Sequence, residues 1–340
     1  MLVLGIETSC DETAAAVLTE DGRVLASVVD SQVAIHSRFG GVVPELASRR
    51  HMEAVAPVVF AALDGAGVGL EAIDFVAATQ GPGLVGSLLV GFSFAKALAY
   101  VRRLPLVGVN HMAGHVASVF LTEDPPAFPF VCLVASGGHS SLFLVEAPAR
   151  LRLLGQTRDD AAGEAFDKVA KILGLGYPGG PLVSAAAQGA DPAAIRFPRA
   201  LLEEDSLDFS FSGIKTAVAQ HVWQEARAGR PVSPGEVCAG FQEAVVEVLV
   251  AKLLRAAAQC RCPRLALAGG VAANERLRAL LAARATASGL AVWLPAPAWC
   301  TDNAAMIALA GLAKYDPGLP SALDADVYSR SSFPGGLLAV

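Results

Sequence analysis

The order of predicted elements in this 340-residue chain occurs twice, and this repeat constrains the fold more than any other feature. Residues 2–29 predict a short strand, a polar loop and two further strands, with a hairpin turn at Glu20-Asp21-Gly22. Residues 130–155 repeat that plan, with the loop at residues 136–140. Each copy therefore begins as a three-stranded unit.

The later part of each copy also matches. From residue 73 onward the first copy predicts a buried strand, a glycine turn, a helix, a strand and, from His111, a second helix; the chain from residue 264 onward follows the same order. Strands alternating with helices indicate parallel sheet covered by helices, so we predict two duplicated α/β halves facing each other. Accidental similarity is the alternative, because this order is common. We expect the halves at residues 1–122 and 123–315, the second with inserted helices, and a tail at 316–340 that packs back on the first half.

The composition raises the question of a membrane protein. The chain is 54% hydrophobic and 17% charged, and residues 75–95, 104–122 and 125–145 contain no Asp, Glu, Lys or Arg. A spanning helix needs about 20 continuous apolar residues. Each window is interrupted, by Gly81-Pro82-Gly83, by two histidines or by the loop at 136–140, so we predict no spanning helix and no membrane partner.

The N-terminal residues and the cysteine pattern indicate where in the cell the protein is located. Residues 1–7 lack a basic segment and a cleavage site, and the six cysteines are dispersed without a C-x-x-C pair. We therefore expect a cytoplasmic protein with reduced thiols. The net charge of −6 argues against a protein that holds a polyphosphate backbone through its own basic surface, although local strips such as Arg49-Arg50-His51 exist. Such strips are more typical of a solvated face.

Three loops have the composition of phosphate-binding loops: residues 5–9, 136–140 and 269–274. Glycine lets backbone N–H groups approach an anion, and hydroxyl groups add donors. Each loop alone is equally typical of a tight turn. Together, at corresponding strand ends of a duplicated fold, they indicate a nucleotide in the cleft between the halves. The chain has no Walker A motif and no G-x-G-x-x-G.

Two histidines have the spacing of metal ligands. His111 and His115 lie at i and i+4, on one face of a predicted helix, although a single histidine there is usually structural. In the second copy the matching segment begins at Cys300, so Asp302 is predicted as a third ligand. Its alternative role is a helix N-cap, which Thr301 can fill instead. Two imidazoles and one carboxylate suit both iron and zinc and leave open positions.

A carboxylate-rich segment, residues 159–168, precedes another predicted helix. Acidic residues in a first helical turn are favoured by the helix dipole, but Asp167 lies too far along for that. It is a candidate acceptor for ribose hydroxyls or an amino group. Residues 177–181 predict a rigid turn, either beside a ligand or as a plain loop.

Taken together, these motifs resemble the tRNA adenosine threonylcarbamoyltransferase (TsaD) family, once described as glycoproteases. The similar segments are residues 5–13, 40–49, 81–86, 111–115, 136–139, 160–168, 208–213, 269–274 and 301–303. The resemblance implies an actin-like ATPase fold of two ribonuclease-H-like halves. It also implies transfer of threonylcarbamoyl from threonylcarbamoyl-AMP to the exocyclic amine of adenosine-37, in tRNAs that read codons beginning with A.

The resemblance also implies site residues and partners. The metal, Fe²⁺ favoured and Zn²⁺ as the alternative, would be held by His111, His115 and Asp302. The nucleotide, threonylcarbamoyl-AMP or ATP and AMP, would be bound by Val134, Ala135, Ser136, Gly137, Gly138, Asp167, Gly180 and Asn274, with Glu7, Thr8, Ser9, Gly269 and Gly270 nearby. The implied partners are tRNA and proteins of the TsaB and TsaE types.

The sequence departs from the family pattern at two places. Ala113 stands where relatives often carry Glu, and the segment 327–333 lacks the usual Arg-Pro-Arg-Trp ending, which puts a contact of the tail with tRNA in doubt. His139, beside the second loop, is a candidate donor to a developing oxyanion or a general acid–base, and a hydrogen-bonded loop histidine is the alternative.

Two other functions compete with the transferase. A metallopeptidase of the zincin type needs H-E-x-x-H, in which the glutamate is the general base, but Met112 occupies that position. A non-catalytic nucleotide-binding scaffold is the second, and the complete set of metal ligands and loops argues against it.

Overall fold

The structure is a computed structural model that describes residues 1–202, 205–318, 321–333 and 336–338. Its strands are β1 (Leu2–Glu7), β2 (Glu12–Thr19), β3 (Val24–Ser31), β4 (Phe75–Gly81), β5 (Leu106–Asn110), β6 (Phe130–Ala135), β7 (Ser140–Ala147), β8 (Arg150–Gln156), β9 (Arg264–Ala268) and β10 (Ala291–Trp293). Its α-helices are α1 (Val33–His36), α2 (Pro44–Ala66), α3 (Val85–Arg102), α4 (His111–Ala117), α5 (Ala162–Ile172), α6 (Gly179–Ala187), α7 (Ser212–Arg227), α8 (Pro234–Cys260), α9 (Glu275–Ala287) and α10 (Ala304–Lys314).

The strands form two five-stranded sheets with the same topology. The first has the order β3-β2-β1-β4-β5 and the second the order β8-β7-β6-β9-β10. In each, the first strand pairs antiparallel with the second and parallel with the fourth, and the fourth pairs parallel with the fifth. The predicted duplication is therefore confirmed as a duplication of sheet topology.

The chain divides into two compact units that differ from the expected ranges. The first comprises residues 1–125, 146–151 and 301–340, and the second residues 126–145 and 152–300. Helix α10 belongs to the first unit, not to the expected second half, because it packs on β1, β2, β4 and α4. Asp302 precedes this helix and therefore lies in the same unit as the two histidines.

Small residues let helices pack closely on the first sheet. Strand β2 carries three consecutive buried alanines, and both α2 and α10 contact this strand. A Cβ atom at Gly5 of β1 would lie 2.3 Å from the carbonyl oxygen of Ala304. The apolar, charge-poor composition thus reflects a tightly packed α/β interior.

The second unit has its own core under the second sheet. Buried aliphatic and aromatic residues of α5, α7, α8 and β6 form one cluster, in which the rings of Phe166 and Phe241 meet edge to face with centroids 5.0 Å apart. Helix α8 begins after Ser233, whose side chain accepts a hydrogen bond from the Glu236 backbone N–H at 3.4 Å.

Other local predictions were wrong. Asn303, not Thr301, caps α10, because the Asn303 Oδ1 atom accepts the Met306 N–H at 2.9 Å. The turn expected over residues 177–181 gives way to helix α6 at Gly179. Helix α2 was not predicted at all. Pro44 at its start and Gly67 directly after its end are usual helix boundary signals, but Pro57 within its 23 residues is unusual for a helix interior.

One helix in the described ranges, α3, is long and apolar enough by length and composition to cross a membrane, a test that core helices of soluble proteins also pass. One side of α3 is buried in the first core through Leu88, Phe92, Ala95 and Ala99. The glycine turn predicted to interrupt this window lies before the helix, which begins at Val85 and contains Lys96.

Residues 321–332, which we call the C-terminal strap, lie along the edge of the first sheet. Ser321 Oγ accepts the Leu106 N–H at 2.8 Å, and the Ala322 N–H donates to Leu106 O at 2.9 Å. Further along, the Tyr328 N–H donates to Gln80 O at 3.1 Å. The strap therefore satisfies backbone groups that an edge strand would otherwise leave open.

Candidate metal centre

Helix α4 presents both histidines at the end of buried strand β5. Asn110 caps this helix through its Oδ1 atom, which accepts the Met112 and Ala113 N–H groups at 2.9 and 3.3 Å. The rings of His111 and His115 are buried and meet edge to face, with their centroids 4.6 Å apart. The i, i+4 spacing thus brings the two imidazoles together as predicted.

Asp302 faces both histidines. Its Oδ1 atom lies 3.2 Å from His115 Nε2 and 3.7 Å from His111 Nε2, and one ligand atom from each of the three residues lies within 4.8 Å of the others. His115 is fully buried, yet neither ring nitrogen has a hydrogen-bond partner among the described residues. Buried polar atoms are rarely left unpaired, so this set of donors fits a metal ion.

Glu7 lies behind His111. Its Oε2 atom is 3.1 Å from His111 Nδ1 and accepts a hydrogen bond from the Thr79 hydroxyl at 2.7 Å, while its Oε1 atom accepts the Ser9 N–H. A carboxylate on one ring nitrogen fixes the orientation of a metal-binding histidine and leaves the other nitrogen for the ion. The sequence placed Glu7 only near the nucleotide and missed this contact, although a glutamate at the end of a buried strand must find a partner.

His111 and Glu7 shift each other's pKa values, and Asp302 shifts both. Burial lowers the pKa of His111, but the carboxylates of Glu7 and Asp302 outweigh it and raise that pKa to about 9. Burial raises the pKa of Glu7, and the neighbouring His111 lowers it below its usual value. Three acid–base groups thus share one buried cluster that is electrostatically suited to a cation.

The remaining side chains of the first loop are turned inward. Thr8 and Ser9 are buried; the Thr8 hydroxyl donates to Ser87 O at 2.9 Å, and Ser9 Oγ lies 3.2 Å from His111 Nδ1. These hydroxyls make contacts within the first unit. Their assignment near a nucleotide stays a prediction.

In the second unit, the loop after β6 is closed by its own hydrogen bonds. The Ser136 N–H donates to His139 O at 2.8 Å, and the His139 N–H donates to Ser136 Oγ at 3.2 Å. Val134 and Ala135 are buried in β6, whereas Gly137 and Gly138 have open space where a side chain would stand. The backbone of these two glycines is accessible to a ligand, as the loop prediction requires.

Two further glycine-containing segments of the second unit were predicted at the nucleotide. Gly269 has a φ of +87°, and a Cβ atom there would lie 2.4 Å from Ala135 O, so only glycine fits this close approach. Gly270 has open space beside it. Asp167 Oδ1 accepts the Gly179 N–H at 2.7 Å, and Gly180, the next residue, is again open. Most of the predicted nucleotide residues thus belong to the second unit, and their role in binding stays a prediction.

Asn274 is held by protein groups. Its Oδ1 atom caps α9 by accepting the Leu277 N–H at 3.0 Å, and its Nδ2 atom donates to Ser184 Oγ and Gln242 Oε1, both at 2.8 Å. Ser184 and Gln242 were not predicted, because single polar residues within apolar helices give no recognisable motif.

The acidic pair before α5 has a structural role. Asp159 Oδ1 accepts the Phe211 N–H at 2.8 Å and the Ser212 N–H at 3.2 Å, and Asp160 lies 2.8 Å from Lys168 and 3.0 Å from Lys215. Burial raises the pKa of Asp159, but the hydrogen bonds from Ser210 and Ser212 lower it overall. These carboxylates hold the start of α7.

Comparisons with known proteins show to which family this chain belongs. The family described as tRNA N6-adenosine threonylcarbamoyltransferase (TsaD) matches residues 23–309. A relative of that name from Desulforapulum autotrophicum is 55% identical over 98% of this chain and 100% of its own length. Another from Anaeromyxobacter dehalogenans (strain 2CP-C) is 58% identical over 91% of this chain and 92% of its own. The chain belongs to this family.

Solved structures with low identity show the fold of this TsaD family member. Component A of (R)-2-hydroxyglutaryl-CoA dehydratase from Acidaminococcus fermentans has a TM-score of 0.54 at 15% identity and covers 92% of this chain and 97% of its own. HypF from T. kodakarensis has a TM-score of 0.58 at 13% identity, over 92% of this chain and 47% of its own. The fold is the actin-like ATPase fold that the resemblance implied.

For this TsaD family member, metal binding is expected to depend on pH. Because the pKa of His111 is raised to about 9, the ring carries a proton at neutral pH in the metal-free protein, and an ion must displace it. The metal affinity should therefore rise about tenfold for each pH unit between 6 and 9 and level off above that range. Titration calorimetry in buffers of different ionisation enthalpy measures the proton released. An affinity that is flat across this range would contradict the expectation.

Proposed function

We propose that this chain transfers a threonylcarbamoyl group from threonylcarbamoyl-AMP to the exocyclic amine of adenosine-37, in tRNAs that read codons beginning with A. The reaction would use a divalent ion bound by His111, His115 and Asp302. The observation that carries the proposal is the unpaired, fully buried His115 beside Asp302, in a chain whose close relatives bear the transferase name.

The proposed metal is Fe²⁺, with Zn²⁺ as the alternative. Two imidazoles and one carboxylate with open positions are the ligand set of non-haem iron sites, and they also suit zinc. A bound divalent ion would supply Lewis-acid charge to an oxygen of the acyl donor. Glu7 holds the His111 ring by its Nδ1 atom, so that Nε2 faces Asp302. This orientation is fixed before any ligand arrives.

The nucleotide part of the proposal rests on the second unit. The backbone at Ser136, Gly137 and Gly138 would position the phosphate of the adenylate, because open glycines allow N–H groups to approach an anion. Asp167 would accept from a ribose hydroxyl or an amino group, with Gly180 and Gly270 leaving room. Asn274 would contribute mainly by holding the start of α9, since its amide already makes three protein hydrogen bonds.

The chemistry requires an activated donor and a positioned amine. An exocyclic adenine amine is a poor nucleophile, while a mixed carbamoyl-phosphate anhydride carries AMP as a leaving group. Orientation and stabilisation of the charge that develops on the carbonyl oxygen are therefore the main contributions expected of the protein. His139, which continues the loop after β6, is the proposed hydrogen-bond donor or proton carrier.

The proposed partners are tRNA and proteins of the TsaB and TsaE types, in the cytoplasm. Two helices of the first unit expose apolar side chains that suit a protein partner. Helix α2 exposes Met52 and Phe60, and helix α3 exposes Val85 and Leu89, the residues of each pair being on one side of their helix. None of the six cysteines forms a disulfide within the described residues, and cytoplasmic proteins usually keep their thiols reduced.

The test is reconstitution with labelled threonine, bicarbonate, ATP, tRNA, a synthase for the adenylate and the purified partners. Label is expected on tRNA only when this chain is present, and its loss is expected in the His111→Ala, His115→Ala double variant. His139→Ala is expected to slow single-turnover transfer by about 10²-fold or more if the histidine moves a proton.

The controls separate the competing functions. A tRNA whose position 37 is guanosine should stay unlabelled. Label that appears without this chain, or that survives loss of both histidines, would sink the transferase proposal and favour the non-catalytic scaffold. Unchanged single-turnover transfer by His139→Ala would remove only the role of His139.

A further inference from the structure

A cavity of about 360 Å³ lies under the C-terminal strap, at the carboxyl ends of β4 and β5. Its polar lining consists of Gln80, Asn110, Lys314, Tyr328, Arg330 and Ser332. All of these residues belong to the first unit. In α/β proteins, ligands bind outside the carboxyl ends of parallel strands, so the cavity is in a position where a ligand is expected.

The charge of the lining is positive. Lys314 and Arg330 are its two charged residues, and no carboxylate lines the cavity. Within the described ranges, neither cation has a carboxylate at ion-pair distance. Lys314 is half-buried and donates to Gly108 O at 2.9 Å, which uses one of its three hydrogens. In a chain of net charge −6, this cavity is locally cationic.

The cavity also offers hydroxyl donors. Tyr328 accepts a hydrogen bond at its hydroxyl oxygen from Asn110 Nδ2 at 3.0 Å, so its own proton remains available to a ligand. Ser332 is exposed at the rim. The amide groups of Gln80 and Asn110 are already used, since they donate to Asp326 O and to Tyr328 and Ser331. The hydrogen-bond donors that remain available to a ligand are therefore two cationic groups and two hydroxyl groups.

We propose that this cavity binds a phosphate group through the Lys314 ammonium, the Arg330 guanidinium and the Tyr328 hydroxyl. A guanidinium matches the oxygens of a phosphate with two parallel hydrogen bonds, and an ammonium adds charge. The phosphate can come from free phosphate and nucleotides or from the backbone of tRNA. Only the tRNA source rests on the proposed function.

Burial supports the same assignment. It lowers the pKa of Lys314, since the ammonium is partly removed from water without a counter-charge. A bound anion would supply that counter-charge, and the Lys314 ammonium would in turn favour binding of the anion. Arg330 is exposed and pre-formed as a fork, so it can close on the ligand from the solvent side.

The first experiment uses inorganic phosphate and the full-length, metal-loaded chain with ¹³C-labelled tyrosine rings. The chain has four tyrosines, so the Tyr328 signal can be assigned with Tyr328→Phe. Phosphate is expected to move this signal saturably. Lys314→Met and Arg330→Gln are each expected to weaken the response about tenfold or more, as loss of one charge-assisted hydrogen bond implies.

Two variants control this experiment. Lys314→Arg should restore phosphate binding, and Arg227→Gln, which removes a cation stacked on Trp223 in the second unit, should leave it unchanged. Arg330→Gln keeps the test valid if Lys314→Met fails to fold, because Arg330 is exposed. A Tyr328 signal that does not move, or that moves equally in both variants, overturns the proposal.

The second experiment identifies the source of the phosphate. The affinity for tRNA is measured at several salt concentrations, since each phosphate contact adds about 0.7–0.9 to the slope of log affinity against log salt. If tRNA is the source, the double variant Lys314→Met, Arg330→Gln should lower this slope by at least that amount, and tRNA should move the Tyr328 signal. An unchanged slope together with phosphate binding assigns the site to a free phosphate or a nucleotide. The Tyr328 readout does not depend on transfer activity, so failure of the proposed function would leave this result intact.

Discussion

Replacing His115 by alanine is expected to abolish binding of the proposed divalent ion and to abolish transfer to tRNA. His115 is fully buried with its Nε2 atom 3.2 Å from Asp302 Oδ1, and neither ring nitrogen has a hydrogen-bond partner within the described residues. Loss of an outer partner of a metal site costs about 10–100-fold in affinity, so loss of a direct ligand should cost more. Elemental analysis of protein purified without oxygen, together with the labelling assay, measures both effects.

The fold should survive this change. Because the His115 ring is not part of a hydrogen-bond network, its removal leaves a cavity but no newly unpaired group. His115→Leu, which keeps the bulk, should also lose the metal while unfolding at nearly the wild-type temperature. His221→Ala removes a histidine packed on Phe197 in the second unit and should keep a full metal content. A metal content that is normal in His115→Leu would show that the ion is held elsewhere.

Gly5→Ala is expected to destabilise the first unit and to weaken metal binding with it. The added methyl group would lie 2.3 Å from Ala304 O and 2.9 Å from Ala308 Cβ, so α10 must move away from β1. Overpacking of this kind costs about 1–3 kcal/mol of the free energy of unfolding. Ala304 begins α10 two residues after Asp302, so the displaced helix should carry the ligand out of position. Denaturant unfolding and metal titration measure the two effects.

Gly213→Ala is the matched control. Gly213 lies near the start of α7, and no atom stands within 4 Å of the position that its new methyl group would take. Alanine in a helix is favoured over glycine by about 0.5–1 kcal/mol, so this variant should be as stable as the wild type or more so. If Gly5→Ala were equally stable, the close packing of α10 on β1 would not hold in solution.

The repeated pattern of strands and glycine turns predicted the two sheets, because hydrophobic periodicity and turn residues are local signals. The same repeat led to Asp302, which follows the last strand of the second copy as His111 follows that of the first, although the structure places Asp302 in the first unit. The family resemblance then added the expected nucleotide residues. What these predictions share is a dependence on short stretches of sequence.

Contacts between distant residues were not predictable in this way. Glu7 meets His111 across 104 positions, and nothing in either local sequence specifies the pair. The tail was expected to pack on the first half, but nothing in its sequence specified the contact of Ser321 with the edge strand β5. The capping of α10 by Asn303 was missed because Thr301, Asp302 and Asn303 are all good capping residues, and only the packing of α10 decides among them.

The placement of Asp302 beyond the second unit has a consequence for biosynthesis. His111 and His115 are synthesised early, whereas Asp302 and α10 follow only after residues 152–300 have been translated. Until then the nascent chain lacks the helix that packs on β1 and β2, so the apolar face of this sheet stays uncovered. The three proposed ligands can therefore come together only after the second unit has been translated.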